Sequence, residues 1–171
     1  MKIIKTVLFI MLLLVLVFLS LGFFFPKVTY DSEIVINGPK IEVWNKFNNI
    51  DDASKWIKGI KSIEPIRLTP DTLGSMFKMV IEDNGRVIEL EELVTGFDPP
   101  NMVSLNFEMD MMRKDDVFYF SETNGKTTIK SSHVCESETY IGKCMFVIMK
   151  IVFKNSEQQN MQQFKKYAEG N

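Results

Sequence analysis

The chain has 171 residues, of which 46% are hydrophobic and 25% are charged, and its formal net charge is −2. This slightly acidic balance argues against a nucleic-acid-binding protein, which would carry a basic surface, and 2 cysteines exclude a disulfide-rich scaffold. The 14 phenylalanines and 11 methionines argue against disorder and predict a large apolar interior.

The N-terminal segment has the length and composition of a membrane-spanning helix. Residues 6–25 carry no charge, and a helix of this length rises about 30 Å, the thickness of the hydrocarbon core of a bilayer. Lys2 and Lys5 precede the uncharged run. The positive-inside rule therefore predicts a cytoplasmic N-terminus and a folded domain on the other side of the membrane.

A cleaved signal peptide is the alternative interpretation. The segment Ser20–Gly22 offers small residues at which a peptidase could cut, but the apolar run is longer than the hydrophobic region of a usual signal peptide. We therefore divide the chain into an N-terminal anchor or signal segment, residues 1–26, and one domain, residues 27–171. The first interpretation predicts a single-pass membrane protein with an extracytoplasmic domain, and the second predicts a secreted protein.

The first elements of the domain are a strand and two short helices. Residues 29–36 alternate between apolar and polar side chains, which predicts a strand. A turn at Asn37–Pro39 leads into a helix over residues 41–47. Asp51 or Asp52 is positioned to cap a short second helix.

Six further segments have the period-two alternation that is typical of β-strands. Turn-forming residues separate them, with hairpin patterns at Asp83–Gly85 and Thr123–Gly125 and a further turn at Arg113–Asp116. The predicted strands cover residues 60–68, 74–82, 86–97, 103–111, 117–122 and 126–136.

The last segment changes to a helical pattern. After Gly142 the chain reaches Glu169 without glycine or proline, which predicts one long helix. Each strand has one apolar face, so the sheet needs a cover, and only this helix is large enough to provide it. We predict an α+β fold in which a curved seven-stranded antiparallel sheet wraps around the long C-terminal helix and leaves an apolar space between them.

Four short segments resemble those of the SRPBCC superfamily, which includes START lipid-transfer domains, pollen-allergen-like proteins and polyketide cyclase/dehydrase-like proteins. They are Ile34–Pro39, Val43–Trp44, Asp51–Ile60 and Phe97–Pro100. The resemblance extends over about residues 28–168 and implies the helix-grip fold, with one strand, two short helices, six strands and one long helix. It implies a shared cavity, and no shared catalytic set.

The apolar positions of the strands and of the C-terminal helix are candidates to line that cavity. Most of them are expected to be ordinary core, and methionine suits a wall that adapts to varied ligands. The candidate lining residues are Trp56, Phe77, Met79, Leu90, Phe107, Met109, Phe118, Phe120, Met145, Met149 and Phe153.

Two titratable side chains are candidate acids or bases. His133, the single histidine, could serve as a general base if it faces inward, but no partner is evident, which favours a partly exposed strand histidine. Glu92 is in phase with Leu90 and Val94, and an inward carboxylate in an apolar cavity would have a raised pKa. A bulge near Glu92 would instead turn it outward.

The cysteines and the remaining motifs do not indicate a reactive or ligand-binding site. Cys135 and Cys144 are expected as two buried thiols, although an extracytoplasmic site would permit a disulfide. One histidine with two separated cysteines lacks metal-site spacing, and no nucleotide-binding motif is present. We therefore predict neither a metal site nor a cofactor.

Three functional hypotheses follow from the sequence. The favoured one is a membrane-anchored module that binds a hydrophobic small molecule or lipid, with no nucleic-acid partner. The second is a cyclase- or dehydratase-like enzyme that uses Glu92 or His133 as acid or base. The third is a stress-related envelope protein whose cavity is filled by its own side chains. The first is favoured because no pair of titratable groups stands out along the chain.

Overall fold

The computed structural model describes residues 2–83 and 85–170, with the side chain of Asp83 left aside. Two long helices and one short helix accompany seven strands and a 3-10 helix. The elements are α1 (Lys2–Phe24), β1 (Lys27–Asn37), α2 (Lys40–Phe47), the 3-10 helix (Ile50–Lys55), β2 (Ile60–Arg67), β3 (Met76–Asp83), β4 (Arg86–Asp98), β5 (Met102–Met109), β6 (Met112–Thr123), β7 (Lys126–Ser137) and α3 (Tyr140–Glu169).

The seven strands form one antiparallel sheet in the order β1-β7-β6-β5-β4-β3-β2. Strands β2 to β7 follow one another as a meander, and β1 closes the order by pairing with β7 along its whole length, from Lys27 opposite Glu136 to Asn37 opposite Lys126. The helix α3 packs against the inner face of β1 and β7. The predicted α+β helix-grip architecture is therefore confirmed.

The inner face of the sheet follows from the alternation of side chains along each strand. In β7 every second residue is buried, and these residues change in character along the strand, from Ile129 through Ser131 and His133 to Cys135. The buried row runs from Thr127 to Ser137, and its polar side chains Ser131 and His133 lie between the apolar Ile129 and the thiol of Cys135.

A cluster of aromatic side chains joins α2, the 3-10 helix and the C-terminal half of α3. The ring centroid of Phe47 lies 4.9 Å from that of Phe118, 5.2 Å from that of Trp56 and 5.1 Å from that of Phe164. Phe164 is fully buried. A smaller cluster of Val28, Tyr30 and Cys135 packs against the first half of α3.

The N-terminal helix α1 contacts the domain near its C-terminal end. The hydroxyl of Tyr140 donates a hydrogen bond to the carbonyl of Leu19 at 2.5 Å, and Gly22 is buried against Cys144. The helix is 23 residues long with a mean hydropathy of 3.1 in its most apolar window, which is long and apolar enough to cross a membrane.

Two local predictions are wrong. Arg113–Asp116 is part of β6, and the turn lies earlier, at Asp110 and Met111, where Asp110 has a φ of +40°. Four successive charged residues have the composition of a loop, but β6 pairs with strands on both sides. The predicted cap at Asp51 or Asp52 is also wrong. The 3-10 helix is capped by the side chain of Asn49, which accepts a hydrogen bond from the backbone amide of Asp51.

The predicted hairpin turn at Asp83–Gly85 includes Asn84, which lies outside the described residues. Asp83 pairs with Arg86 at the ends of β3 and β4, so the two strands adjoin as the pattern predicts.

Candidate functional site

A cavity of about 920 Å³ lies between the inner face of the sheet and α3. Strands β3 to β6 contribute alternate side chains to its wall, the 3-10 helix region closes one part, and α3 contributes residues from Phe153 to Met161. Its wall includes residues of both apolar clusters, among them Trp56 and Phe118 of the larger one and Tyr30 and Cys135 of the smaller one.

Eight of the candidate lining residues lie on this cavity. Their side chains occupy the inward positions of the strands, or lie on the 3-10 helix region and on α3. They are Trp56, Phe77, Met79, Leu90, Phe107, Met109, Phe118 and Phe153.

Three candidates lie elsewhere. Phe120 is buried in the aromatic cluster, with its ring centroid 5.0 Å from that of Trp44. Met145 is 43% exposed on the outward face of α3, and the half-buried Met149 is outside the cavity wall. The first half of α3 is apolar on nearly every side, so its sequence did not reveal which stripe faces the sheet.

Charged side chains from β6 and α3 form one polar part of the cavity wall. The ammonium of Lys114 lies 2.6 Å from Asp116 Oδ2 and 3.5 Å from Glu157 Oε2. All three residues line the cavity, and the side chains of Asp116 and Glu157 are buried. We call Lys114, Asp116, His133 and Glu157 the polar cluster.

Mutual attraction keeps the two ions of the Lys114–Asp116 pair charged. Desolvation alone would lower the pKa of Lys114, but the negative charges of Asp116 and Glu157 outweigh it and raise that pKa. Desolvation alone would likewise raise the pKa of Asp116, but Lys114 and the hydrogen bond from His133 lower it. The pair is therefore ionised at neutral pH.

His133 lies behind the cavity wall and holds Asp116 in place. Its Nδ1 is 2.7 Å from Asp116 Oδ1, its Nε2 is 2.8 Å from Ser131 Oγ, and its ring stacks on that of Tyr30 at 4.7 Å. In the neutral tautomer that suits both contacts, Nδ1–H donates to the carboxylate and Nε2 accepts from the hydroxyl. The expected partly exposed position is wrong, because the side chain is 0% exposed.

Glu92 projects into the cavity from the middle of β4. Phe77 and Phe107 are its register partners on β3 and β5. Burial, and secondarily the negative charge of Asp116, raises the pKa of Glu92 to about 7. The irregularity in β4 lies further along, between Val94 and Gly96, and does not turn Glu92 outward.

Trp56, Tyr30 and Cys135 also bring polar atoms to the cavity wall. The indole N–H of Trp56 is buried and has no hydrogen-bond partner among the described residues. The hydroxyl of Tyr30 lies 3.9 Å from the thiol of Cys135, and burial raises the pKa of both groups. Cys135 and Cys144 are free, buried thiols, which is the arrangement that the sequence favoured.

The polar cluster contains three metal-ligating residue types but fits an ammonium better than a metal ion. Ligand atoms of Asp116, His133 and Glu157 lie within 4.8 Å of one another. The ammonium of Lys114 already lies between the two carboxylates, 2.6 Å from Asp116 and 3.5 Å from Glu157. Both ring nitrogens of His133 have protein partners as well. The possible metal ligands of this cluster therefore already have protein partners.

Sequence reasoning missed Lys114, Asp116 and Glu157. Lys114 and Asp116 fall within the predicted turn, although they continue the inward alternation that Phe118 and Phe120 follow. Glu157 lies four residues after Phe153 and four before Met161, on the stripe of α3 that lines the cavity. Extending each apolar periodicity through the neighbouring charged residues would have found all three.

Comparison with solved structures identifies proteins of the same fold. The chain resembles the crystal structure of Ara h 8.0201, with a TM-score of 0.68 and 13% identity, over 85% of this chain and 99% of that one. The Zhui aromatase/cyclase from Streptomyces sp. R1128 gives a TM-score of 0.70 at 9% identity, over 84% and 94%. The protein TTHA0849 from Thermus thermophilus gives 0.63 at 17% identity, over 85% and 95%.

These neighbours are SRPBCC-type proteins, so the resemblance predicted from the sequence is confirmed at the level of the fold. No protein-family model matches the sequence, and no curated protein sequence matches it significantly.

Proposed function

We propose that this protein is a membrane-anchored binding module whose cavity holds a hydrophobic small molecule or lipid that carries one polar group. The observation that carries the proposal is a cavity of about 920 Å³ with a mainly apolar wall and a compact polar cluster at one place. Natural ligand sites have this composition, in which apolar walls supply affinity and a few polar groups fix orientation.

The apolar wall supplies the main driving force for binding. A ligand that buries about 300 Å² of apolar surface gains roughly 7 kcal/mol from leaving water, before the cost of association is subtracted. Methionines such as Met79, Met109 and Met161 line the wall, and their flexible side chains adapt to ligands of different shape.

Hydrogen-bond donors on the cavity wall support the proposal that the ligand carries a polar group. The indole N–H of Trp56 is buried without a partner among the described residues, and a ligand oxygen would satisfy it. Glu92, with a pKa of about 7, carries a proton on a substantial fraction of molecules at neutral pH and donates in that form. Hydroxyl, carbonyl or ester groups fit these donors.

The helix α1 supplies the anchor. Its apolar side chains from Ile3 to Val17 are exposed, as expected for a helix surrounded by lipid. In this arrangement Lys2 and Lys5 face the cytoplasm and residues 27–171 lie on the opposite side. The bilayer beside the domain would then be the source of the hydrophobic ligand.

Ligand binding is tested by purifying the full chain, extracting it with organic solvent and identifying co-purified molecules by mass spectrometry. Leu90→Trp fills the cavity, whereas Val87→Trp adds the same side chain at an exposed position of the same strand. The proposal expects one apolar compound class in the wild type and in Val87→Trp, and its loss in Leu90→Trp. Equal amounts of every extracted lipid in all three proteins would contradict it.

An enzymatic role is the second candidate, and one observation favours it. Glu92 has a pKa of about 7 inside the cavity, the range in which a carboxyl group serves both as acid and as base. One neighbour of the same fold is an aromatase/cyclase. Conversion of the co-purified compound by the wild type but not by Glu92→Gln would establish this role.

A further inference from the structure

Five apolar side chains on α3 are exposed although the helix packs on the sheet along its other side. With about 100° between successive residues, they lie within about 120° of one another on one helix face. Their exposed fractions range from 43% to 71%. We call Ile141, Met145, Ile148, Ile151 and Val152 the apolar face of α3.

The same side of α3 becomes polar after Val152. Five exposed amide residues continue it over the next three turns, and the exposed Lys166 follows them in the last turn of the helix. The amides are Asn155, Gln158, Gln159, Gln162 and Gln163. The two halves of one exposed surface therefore differ in polarity, so the apolar half faces surroundings different from those of the amide half.

The apolar half is also the half that touches α1. Tyr140 and Cys144 contact Leu19 and Gly22, and a Cβ atom on Gly22 would lie 2.6 Å from Cys144 Sγ. The backbones of the two helices approach this closely because residue 22 has no side chain. The apolar face is therefore continuous with the exposed apolar surface of α1.

The contact fixes the depth of the first turn of α3 once α1 spans a bilayer. Gly22 lies three residues and Leu19 six residues before Phe25, the last residue of the uncharged run. At 1.5 Å per residue these positions are about 4.5 and 9 Å inside the end of that run. Helices that lie in a membrane interface insert their apolar faces about 5–10 Å.

We propose that the apolar face of α3 is inserted into the lipid leaflet in which α1 ends, so that α3 lies on the bilayer. This inference rests on the proposed membrane anchor. Charge agrees with it, because Tyr140–Ser156 contains Lys143, Lys150 and Lys154 and no acidic residue. This half of α3 therefore brings no negative charge to the lipid headgroups.

Insertion places the wall of the cavity directly against lipid. Phe153 lines the cavity and follows Val152 of the apolar face in sequence. One helix then contacts the bilayer with one side and the bound ligand with the other. A lipid-derived ligand would therefore exchange over a short path beside α3.

The test uses the full chain in phosphatidylcholine vesicles, with a fluorescent thiol label at one introduced cysteine. Ile148→Cys probes the apolar face, Gln163→Cys probes the same side of the amide half, and Leu12→Cys probes α1. All three positions are exposed, so the substitutions leave the core intact. The unsubstituted chain measures background labelling, because both of its thiols are buried.

Phosphatidylcholine with a quencher on its acyl chains reports contact with lipid. We expect the labels at Ile148 and Leu12 to lose fluorescence and the label at Gln163 to keep it. A quenched label at Leu12 with unquenched labels at Ile148 and Gln163 overturns the inference and leaves the anchor intact. An unquenched label at Leu12 overturns the anchor and the inference together.

One further outcome identifies another partner for this surface. A label at Ile148 that is shielded both from the lipid quencher and from aqueous iodide lies against protein. In that case a second copy of the chain covers the apolar face, and the inference of insertion into lipid is wrong.

Discussion

Asp116 and His133 stand directly opposite each other on β6 and β7, with Asp116 Oδ1 2.7 Å from His133 Nδ1. The imidazole binds one carboxylate oxygen from behind the cavity wall, and the ammonium of Lys114 binds the other oxygen at 2.6 Å from within it. A charged group is thereby held rigidly at the surface of an otherwise apolar cavity.

Removing the imidazole destabilises the fold. We expect His133→Leu to lower the free energy of unfolding by about 2–4 kcal/mol, because Asp116 loses a buried hydrogen bond. Thermal or denaturant unfolding of the purified chain measures this change. Ser132→Ala, at the adjacent exposed position of β7, is the matched control with a change within about 0.5 kcal/mol. Equal stability of the two variants would contradict the assigned role of His133.

Removing the ammonium leaves the carboxylates of Asp116 and Glu157 without the cation between them. At pH 7 we expect Lys114→Met to cost about 3–5 kcal/mol of unfolding free energy. Lys114 lowers the pKa of Asp116 in the wild type, so this carboxylate contributes stability that is lost as pH falls below about 4.

Without Lys114 the pKa of Asp116 rises instead, and the folded variant gains stability as the carboxylate takes up a proton. The difference in unfolding free energy between wild type and Lys114→Met should therefore shrink from pH 7 to pH 4. A difference that stays constant over this range would show that Lys114 acts through packing.

The half-buried carboxyl group of Glu92 on the cavity wall makes stability depend on pH near neutrality. Its folded pKa of about 7 lies above the unfolded value of 4.5, so its contribution is complete below 4.5 and lost as pH rises through 7. The loss amounts to at most about 3 kcal/mol.

Glu92→Gln should abolish this dependence of the unfolding free energy on pH. Glu89→Gln, at an exposed position of the same strand, should retain it. Unfolding curves at several pH values between 4 and 8 provide the measurement. A wild-type slope that persists in Glu92→Gln would assign the proton uptake to another group.

The aromatic cluster anchors the C-terminal half of α3. Phe164 is fully buried and its ring lies 5.0 Å from that of Trp56, so Phe164→Ala should lower the unfolding free energy by about 3–5 kcal/mol. The neighbouring Gln163 is exposed, and Gln163→Ala should change the unfolding free energy by less than about 0.5 kcal/mol. Similar unfolding midpoints for both variants would disprove the role of this cluster.

The contact between α1 and α3 depends on the absence of a side chain at Gly22. We expect Gly22→Leu to push the helices apart, because even a Cβ atom would lie 2.6 Å from Cys144 Sγ. Cys144 is fully buried in the wild type, so a membrane-permeant thiol reagent should modify it faster in this variant.

Phe23→Leu, at the exposed neighbouring position, serves as the control for this experiment. Modification of the Cys144 peptide is followed by mass spectrometry, with Cys135 as an internal reference. Unchanged reactivity of Cys144 in Gly22→Leu would show that the two helices do not touch in the purified protein.

The sequence by itself determined the architecture, because strand and helix periodicities are local properties of the chain. The alternation through Phe77, Met79 and Leu90 placed these residues on the inner face of the sheet, and the structure has them on the cavity wall. The uncharged run of residues 6–25 likewise defined α1.

Only the tertiary structure decided the chemistry of the cavity. Asp116 is separated by 17 residues from His133, and Lys114 by 43 residues from Glu157, so strand register and helix packing bring the four together. Four successive charged residues, Arg113–Asp116, have the composition of a turn when the sequence is read alone. Their place in a strand is stabilised by His133 on β7 and Glu157 on α3. A buried charge is stable only beside its counterion, and that proximity exists only once the chain has folded.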